Sequence, residues 1–255
     1  MRYCGSKRKF MKELLPILMK GTNKDTVFYD VFGGGMNVIS EIPLKKKVGL
    51  DYDKYTIGLW KDLQKYKLDG KPLPAMINDH ITKEEYEDVK YCYLNNIGKY
   101  TDSEIGYVGY ALSYGGAFFN GYAKFNHNRN EDHVKEAYNG LMRHVDNFKN
   151  LNTTKFYDSN YVNLNPVTTR PGNVILFCDP PYFGTRKYSS DFDSAQFWEW
   201  AIEKAKLGFK VYVCEYEAPS DFKCIWQKEK RDGMGTTRSG QEQTIKTEKM
   251  FIYKG

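Results

Sequence analysis

Residues 174–182 read VILFCDPPY, five apolar residues followed at once by Asp179-Pro180-Pro181-Tyr182. The apolar run predicts a strand that is buried on both faces, which is typical of a parallel sheet. Two successive prolines fix the backbone and remove two N–H donors, so the turn after this strand presents carbonyl acceptors. Ligands of open α/β sheets bind at the carboxyl ends of the strands. The segment therefore predicts a site that accepts hydrogen bonds from a bound molecule.

The exocyclic amine of a nucleobase would suit such a turn. Asp179 would accept one N–H of the amine and the carbonyl of Pro180 the other, which draws the nitrogen lone pair out of conjugation with the ring. Tyr182 would stack on the base, and a base in a duplex must first be flipped out of the stack. The alternative is a proline-rich turn that carries no chemistry.

A second informative stretch lies nearer the N-terminus. Residues 26–32 read TVFYDVF, which predicts a strand, and Gly33-Gly34-Gly35 follow this strand. A helix is expected to begin at Met36. A short second strand is expected over Lys47 to Asp51. This order is typical of the start of a doubly wound sheet. The glycines permit close approach of a ligand, but the pattern is not GxGxxG, so a diphosphate cofactor such as NAD is disfavoured. Asp51 is the candidate for binding a ribose, with Asp53 as its competitor. The cofactor predicted from these features is S-adenosylmethionine.

The remaining pattern divides the chain into an α/β domain formed by residues 1–70 and 151–255 and a helical insertion at 71–150. Further helices are expected over residues 6–20, 54–66, 82–96, 103–113, 131–148 and 193–206, and further strands over 155–158, 209–216, 222–228 and 248–253, with the last two antiparallel. Thr82 with Glu85, and Asp193 with Gln196, are candidate helix caps. Residues 113–130 are rich in Gly, Asn and aromatic side chains, which favours a recognition loop.

The composition excludes several classes of protein and kinds of site. The chain has 38 Lys and Arg against 32 Asp and Glu, a net charge of +6 that permits a polyanionic partner without establishing one. Five scattered cysteines form no CxxC pair and four histidines show no metal spacing, so neither a disulfide framework nor a metal site is expected. No apolar run approaches the length of a membrane span. A cytoplasmic location without a membrane partner is expected.

The chain resembles the DNA adenine methyltransferases of bacteria and their phages over nearly its whole length. The resemblance rests on these segments in this order: Tyr3-Cys4-Gly5-Ser6-Lys7, Asp30-Val31-Phe32-Gly33-Gly34-Gly35, Asp51, a helical insert, Phe156-Tyr157-Asp158-Ser159-Asn160-Tyr161, Asp179-Pro180-Pro181-Tyr182, GTRKYSSDF at 184–192 and EKMFIYKG at 248–255. It implies a Rossmann-like methyltransferase sheet that carries a target-recognition insertion. It also implies two sets of site residues. The catalytic set is Asp179, Pro180, Pro181 and Tyr182, and the S-adenosylmethionine set is Tyr3, Lys7, Phe32, Gly33, Gly34, Gly35, Asp51, Asn160, Tyr161 and Asp179.

Residues 119–126, FNGYAKFN, are similar to the F-N-G-x-x-R-x-N recognition segment of that family. Lys124 stands where Arg is usual, and the Gly-x-Phe-Asn element of GATC-specific members is missing, so GATC is not implied as the target. The residues expected to contact double-stranded DNA are Tyr114, Phe119, Asn120, Lys124, Asn126, Arg186 and Lys187. Tyr114 or Phe119 would fill the gap that a flipped base leaves, and Arg186 and Lys187 would contact phosphates.

The sequence therefore predicts a methyltransferase that acts on N6 of a flipped adenine in DNA. N4-methylation of cytosine and methylation of RNA adenine stay open, although Ser-Pro-Pro-Tyr is commoner for cytosine. A protein-glutamine methyltransferase would more often carry Asn at position 179. A DNA-binding protein that retains the fold without catalysis is the alternative of another class, and an intact Asp179 and Asp51 argue against it. The oligomeric state, a monomer or a weak dimer, and the target site stay open.

Overall fold

The computed structural model describes residues 3–123, 132–182, 192–231 and 245–255. The chain forms two compact units, Met1–Asn165 and Pro166–Gly255. Each unit holds part of the α/β pattern. The predicted insertion at residues 71–150 stays a prediction, because the division into units falls elsewhere in the chain.

The first unit contains three parallel strands in the order β3-β2-β1. These are β1 (Val27–Asp30), β2 (Lys46–Asp51) and β3 (Thr154–Asp158). In the paired register Tyr29 lies opposite Val48, and Val48 lies opposite Lys155. Because the strands are parallel, the residues that follow each of them meet at one edge of the sheet.

Five α-helices belong to the described part of this unit: α1 (Met11–Leu18), α2 (Lys54–Asp69), α3 (Lys83–Leu94), α4 (Asp102–Gly106) and α5 (His133–Asp146). Between β2 and β3 the described backbone is helical or irregular, apart from one isolated antiparallel bridge between Ser113 and Tyr122. The capping box predicted for Thr82 and Glu85 is confirmed, because each side chain bonds the backbone N–H of the other residue.

The helix predicted from Met36 is wrong. Only a 3₁₀ turn, Ile39–Glu41, forms there, and Met36 itself has φ of +54°. The cause is competition for the backbone groups that a helix would need. The buried ammonium of Lys47 takes the carbonyls of Ile39 and Ile42 at 2.9 and 3.1 Å, together with that of Lys149.

The helix predicted over residues 103–113 is shorter and changes its winding. After α4 the backbone continues as a π-helix, Tyr107–Ala111. Gly106 marks a close helix contact, since a Cβ there would lie 2.3 Å from the carbonyl oxygen of Tyr55 in α2. Short π-helices occur frequently at functional sites, and this one carries Tyr110, which is described below.

The second unit contains β4 (Val174–Cys178), α6 (Ser194–Lys206), β5 (Lys210–Glu215), β6 (Phe222–Arg231) and β7 (Ile245–Tyr253). The strands are ordered β4-β5-β7-β6, with β4 and β5 parallel and the other pairs antiparallel. A register shift between Cys224 and Trp226 interrupts the β6–β7 ladder. The antiparallel pairing of the last two strands and the α/β class are confirmed. The Asp193–Gln196 cap is confirmed in part: Asp193 Oδ1 accepts the Gln196 N–H at 3.0 Å.

The cores of the two units are aromatic. In the first, the fully buried Trp60 of α2 packs against His144, Phe148 and Phe156. In the second, Phe197 of α6 packs against Trp200. Within the described ranges, none of the helices has the length and apolar character that crossing a membrane requires.

Candidate functional site

The glycine turn after β1 is fastened to the carboxyl end of β2. The N–H of Gly33 donates to the carbonyl of Leu50 at 2.8 Å, and the N–H of Gly34 donates to Oδ2 of Asp51 at 2.7 Å. Gly34 has φ of +45°, a conformation that other residues rarely adopt. The turn therefore depends on both the missing side chain of Gly34 and the carboxylate of Asp51.

The ring of Tyr3 lies directly against this turn. A Cβ on Gly34 would be 2.5 Å from Cε1 of Tyr3, and one on Gly35 would be 2.7 Å from its Cβ. Lys7, four residues later, is buried, and its Nζ donates to the carbonyl of Gly5 at 3.3 Å. The N-terminal segment and the glycine turn, which the resemblance assigned to one site, therefore lie together.

Asp51 is half-buried, and backbone groups hold both of its carboxylate oxygens. Oδ1 accepts the N–H of Asp53 at 2.9 Å, and Oδ2 accepts that of Gly34. Loss of hydration raises the pKa of Asp51 to about 6, although these N–H groups act in the opposite direction. A carboxylate offers about four acceptor positions, so the ionised group retains capacity for a further donor.

The carboxylates of Asp51 and Asp53, the two candidates for binding a ribose, have different hydrogen-bond partners. The carboxylate of Asp53 begins α2, where it accepts the N–H of Tyr55 at 2.9 Å and the hydroxyl of Thr56 at 3.0 Å. Asp53 thus acts as a helix cap, whereas Asp51 faces the glycine turn. The position of the two carboxylates favours Asp51 as the candidate ligand-binding acid.

The loop after β3 reaches the same edge of the sheet. The N–H of Ser159 donates to the carbonyl of Asp51 at 2.9 Å. Tyr161 is buried, with its ring 5.4 Å from that of Phe32. The exposed Asn160 uses its side chain to accept the N–H of Val162 at 3.2 Å. The predicted cofactor residues that follow β1, β2 and β3 therefore lie around the carboxyl ends of these strands, and Tyr3 lies against the glycine turn.

Tyr110, in the π-helix, is a residue of this region that the sequence did not single out. Its hydroxyl donates to Oδ2 of Asp53 at 2.5 Å, and its ring lies 4.9 Å from that of Tyr3. Burial, followed by the charge of Asp53, raises the pKa of Tyr110, so the hydroxyl stays protonated and donates. Nothing in the local sequence distinguishes it from the other tyrosines, since its role follows from how α4 packs on α2.

Asn37, two residues beyond the glycine turn, was also missed. Its side chain is buried, and its Oδ1 has no hydrogen-bond partner among the described residues. A Cβ on Gly35 would lie 2.6 Å from its Nδ2. Buried amide oxygens are normally paired, so this oxygen is suited to accept a donor from a bound molecule.

The second unit carries the catalytic candidates. Asp179 directly follows β4, all five residues of which are buried. Pro180 is buried, whereas Asp179, Pro181 and Tyr182 are partly exposed. The chain thus holds a rigid turn at a strand end, with Asp179 accessible to a ligand.

Tyr182 is held by two residues to which the sequence assigned no role. Its hydroxyl donates to Oε2 of Glu248 at 2.9 Å, and its ring meets that of Tyr216 edge-on with centroids 4.7 Å apart. Burial and the nearby Asp179, Cys214 and Glu248 raise the pKa of Tyr182 well above its usual value. Tyr216 also lines a cavity of about 470 Å³ at the carboxyl end of β5.

The predicted DNA-contacting residues differ in exposure. Tyr114 is 67% exposed, and Asn120 is also exposed. Phe119 is buried, with its ring 5.4 Å from that of Tyr93 in a stacked arrangement. Of the two candidates for filling the gap beside a flipped base, only Tyr114 is therefore at the surface. Lys124, Asn126, Arg186 and Lys187 lie outside the described residues.

Comparison with known proteins identifies a family. Residues 3–213 match the model of the D12 class N6 adenine-specific DNA methyltransferases. No curated protein matches the chain significantly. The solved structures similar to it include a candidate methylase of Haemophilus influenzae, HI0767, with 11% identity over 96% of this chain and 88% of that one and a TM-score of 0.36. The family is therefore assigned from the sequence match over residues 3–213.

Proposed function

This chain belongs to the D12 class of N6 adenine-specific DNA methyltransferases, and we propose that it transfers a methyl group from S-adenosylmethionine to N6 of an adenine flipped out of double-stranded DNA. The observation that carries the proposal is the position of Asp179-Pro180-Pro181-Tyr182 at the end of the buried strand β4. Carboxyl ends of strands are where open α/β sheets bind ligands. The family itself accounts for the base and for DNA as the substrate.

The residues around the glycine turn fit the proposed cofactor. The turn has no room for side chains at Gly34 and Gly35, and the carboxylate of Asp51 retains acceptor capacity suited to ribose hydroxyls. The buried Oδ1 of Asn37 adds an acceptor. Tyr3, Lys7, Phe32, Asn160 and Tyr161 would complete the site. When bound, S-adenosylmethionine supplies an electrophilic methyl group.

Asp179 and Pro180 orient the target amine. The carboxylate of Asp179 accepts one N–H of the adenine amine, and the carbonyl of Pro180 accepts the other. These bonds would aim the nitrogen lone pair at the methyl group, with S-adenosylhomocysteine as the leaving group. The negative charge of Asp179 would stabilise the positive charge on the nitrogen until that nitrogen loses one proton to solvent. Tyr182 stacks on the ring and holds the flipped base in place. Catalysis then rests on positioning and charge.

Recognition of the duplex is assigned to the insertion. Tyr114 fills the gap beside the flipped adenine, and Asn120, Lys124 and Asn126 contact base edges. Arg186 and Lys187 contact phosphates, and the net charge of +6 favours the association. This activity belongs in the cytoplasm of a bacterial or phage-infected cell, where the DNA lies.

The test is mass spectrometry of nucleosides from methylation-free DNA that has been incubated with the protein and S-adenosylmethionine. Asp179→Ala removes the proposed acceptor, and Asp221→Ala changes an exposed acid of the same unit as a matched control. We expect N6-methyladenine from the wild type and Asp221→Ala, and none from Asp179→Ala. Titration with S-adenosylhomocysteine should show that all three proteins bind the cofactor product.

N4-methylcytosine in place of N6-methyladenine would contradict the assignment of the base. Wild-type turnover by Asp179→Ala would contradict the mechanism. A wild-type protein that binds S-adenosylhomocysteine but methylates neither single- nor double-stranded DNA would contradict the proposed reaction. Sequencing of the methylated product identifies the target site.

A further inference from the structure

Glu248 is an acidic residue in the interior of the second unit. It lies on β7 with 3% of its surface exposed, and its Oε2 accepts the hydroxyl of Tyr182 at 2.9 Å. A buried carboxylate is costly unless hydrogen bonds or charges compensate for lost hydration. An apolar side chain would suit the same position at lower cost if packing were its only purpose. The presence of an acid there points to a role for the bond that it makes.

The hydrogen bond from Tyr182 to Glu248 restrains the aromatic residue of the Asp179-Pro180-Pro181-Tyr182 segment. A tyrosine side chain rotates about two bonds. Anchoring the hydroxyl at the far end of the ring restricts rotation about Cα–Cβ, whereas a contact on the ring itself restricts rotation of the ring plane about Cβ–Cγ. Tyr216 meets the same ring edge-on with centroids 4.7 Å apart. Tyr182 is therefore fixed by a hydrogen bond at its tip and by an aromatic contact on its ring.

Lys246, on the same face of β7 as Glu248, contacts the ring of Tyr216. Side chains two residues apart in a strand point to one face, so Lys246 and Glu248 lie side by side. The Nζ of Lys246 lies 5.7 Å from the centroid of Tyr216. One strand thus contacts both rings of the Tyr182–Tyr216 pair, through a cation over one ring and a carboxylate at the tip of the other.

We propose that Glu248 is a positioning residue for methyl transfer: it holds the ring of Tyr182 in the orientation that stacks on the target adenine, with Tyr216 as the lateral support. The inference rests on the proposed function, because it assigns a role within that same site. It gives a role to Glu248, which lies 66 positions from Tyr182 and begins the closing segment EKMFIYKG, a segment to which the resemblance assigned no site residue.

The test is a double-mutant cycle on methylation of DNA, with wild type, Tyr182→Phe, Glu248→Leu and the double variant. Tyr182→Phe keeps the ring and removes only the hydroxyl. We expect Glu248→Leu to lower kcat about 10- to 100-fold, the loss typical of a hydrogen bond to a charged group. In the Tyr182→Phe background the same change should have little further effect, because the bond is already absent. The KM for S-adenosylmethionine should stay within about twofold of wild type, since only the base is mispositioned.

Two further variants separate positioning from folding. Glu248→Gln keeps an oxygen that accepts the phenol hydrogen, and we expect it to restore kcat to within about threefold of wild type. Glu229→Leu makes the matched change at an exposed position of the adjacent strand β6 and should leave kcat unaltered. Thermal unfolding of each variant shows whether it is folded at the assay temperature.

Independent, multiplying effects of Tyr182→Phe and Glu248→Leu would overturn the inference, because Glu248 would then act through some other contact. A Glu248→Gln variant as impaired as Glu248→Leu would also overturn it. Both of these outcomes are measured relative to a wild-type protein that methylates DNA. A wild type that makes no N6-methyladenine overturns the proposed function, and this role with it.

Discussion

The backbone N–H of Gly34 donates a 2.7 Å hydrogen bond to the carboxylate of Asp51, which lies 17 residues later in the chain. The bond joins the turn after β1 to the end of β2. The other carboxylate oxygen accepts the N–H of Asp53, and the side chain of Asp53 accepts the hydroxyl of Tyr110. A chain of hydrogen bonds thus runs from the glycine turn to the π-helix.

Binding of the cofactor should weaken in mild acid. The pKa of Asp51 is raised to about 6, so the ionised form, which we propose accepts ribose hydroxyls, is lost as the pH falls through that value. Below it we expect the affinity for S-adenosylhomocysteine to fall about tenfold per pH unit. Isothermal titration calorimetry at several pH values between about 5 and 8, on either side of this pKa, measures the affinity for S-adenosylhomocysteine.

Asp51→Asn is the control for this pH dependence. It cannot ionise, so its weaker binding should be constant over the same range. Stability should follow the opposite trend: because the folded pKa exceeds the unfolded value of 3.8, ionised Asp51 destabilises the fold above about pH 6, and this penalty is lost as the pH falls towards 3.8. Wild-type affinity that did not change across pH 6 would contradict the assignment of Asp51.

Gly34→Ala should abolish cofactor binding. The added Cβ would lie 2.5 Å from the ring of Tyr3, at a φ of +45° that Ala adopts at a cost of about 1–2 kcal/mol. Gly70→Ala is the matched control, because Gly70 has φ of +65° but no atom within 4 Å of the new Cβ. Both variants should lose stability, and only Gly34→Ala should lose affinity for S-adenosylhomocysteine. Equal affinities of the two variants would show that the contact with Tyr3 is dispensable.

Tyr110→Phe should destabilise the fold without removing the aromatic contact to Tyr3. It deletes the donor to Asp53 and keeps the ring whose centroid lies 4.9 Å from that of Tyr3. Loss of a hydrogen bond to a charged group predicts a decrease in the free energy of unfolding of about 1.5–3 kcal/mol. Urea denaturation measures this loss, with Tyr91→Phe at an exposed position as the control. The two variants unfolding at the same urea concentration would speak against the role assigned to Tyr110.

Lys47→Met should destabilise the first unit strongly. The ammonium bonds the carbonyls of Ile39, Ile42 and Lys149, and Met leaves all three without this donor. We expect a loss of about 2–4 kcal/mol in the free energy of unfolding. Lys46→Met provides the comparison, since Lys46 is exposed and pairs with Asp25 at the surface, where ion pairs contribute little. The prediction fails if both variants unfold at the same denaturant concentration.

Local patterns made much of this architecture predictable. The all-apolar run VILFC predicted β4, and the pairing of Thr82 with Glu85 predicted the start of α3, because both signals depend on a few consecutive residues. The candidate site was predictable in the same way where it follows a strand: Asp51 and Asp179 each lie at a strand end.

Residues whose roles arise from distant contacts were not predictable. Tyr110 reaches Asp53 across 57 positions, and Glu248 reaches Tyr182 across 66. The helix expected from Met36 failed for a related reason. Lys47 and Lys149, which lie outside that segment, decide how its backbone is hydrogen-bonded, since the Lys47 ammonium takes two of its carbonyls and the Lys149 N–H donates to that of Ser40.

The strand β6 lies at the end of the strand order of its unit, and no other described strand pairs with its outer side. A ten-residue edge of this kind offers a template on which a neighbouring molecule adds its own strand. Lys223, Lys228 and Glu229 are exposed along it, and the register shift after Cys224 interrupts the regular pairing of the ladder. Exposed charges and interrupted pairing are features by which natural sheet edges oppose edge-to-edge association, so both features make this edge a poor template for a neighbouring strand.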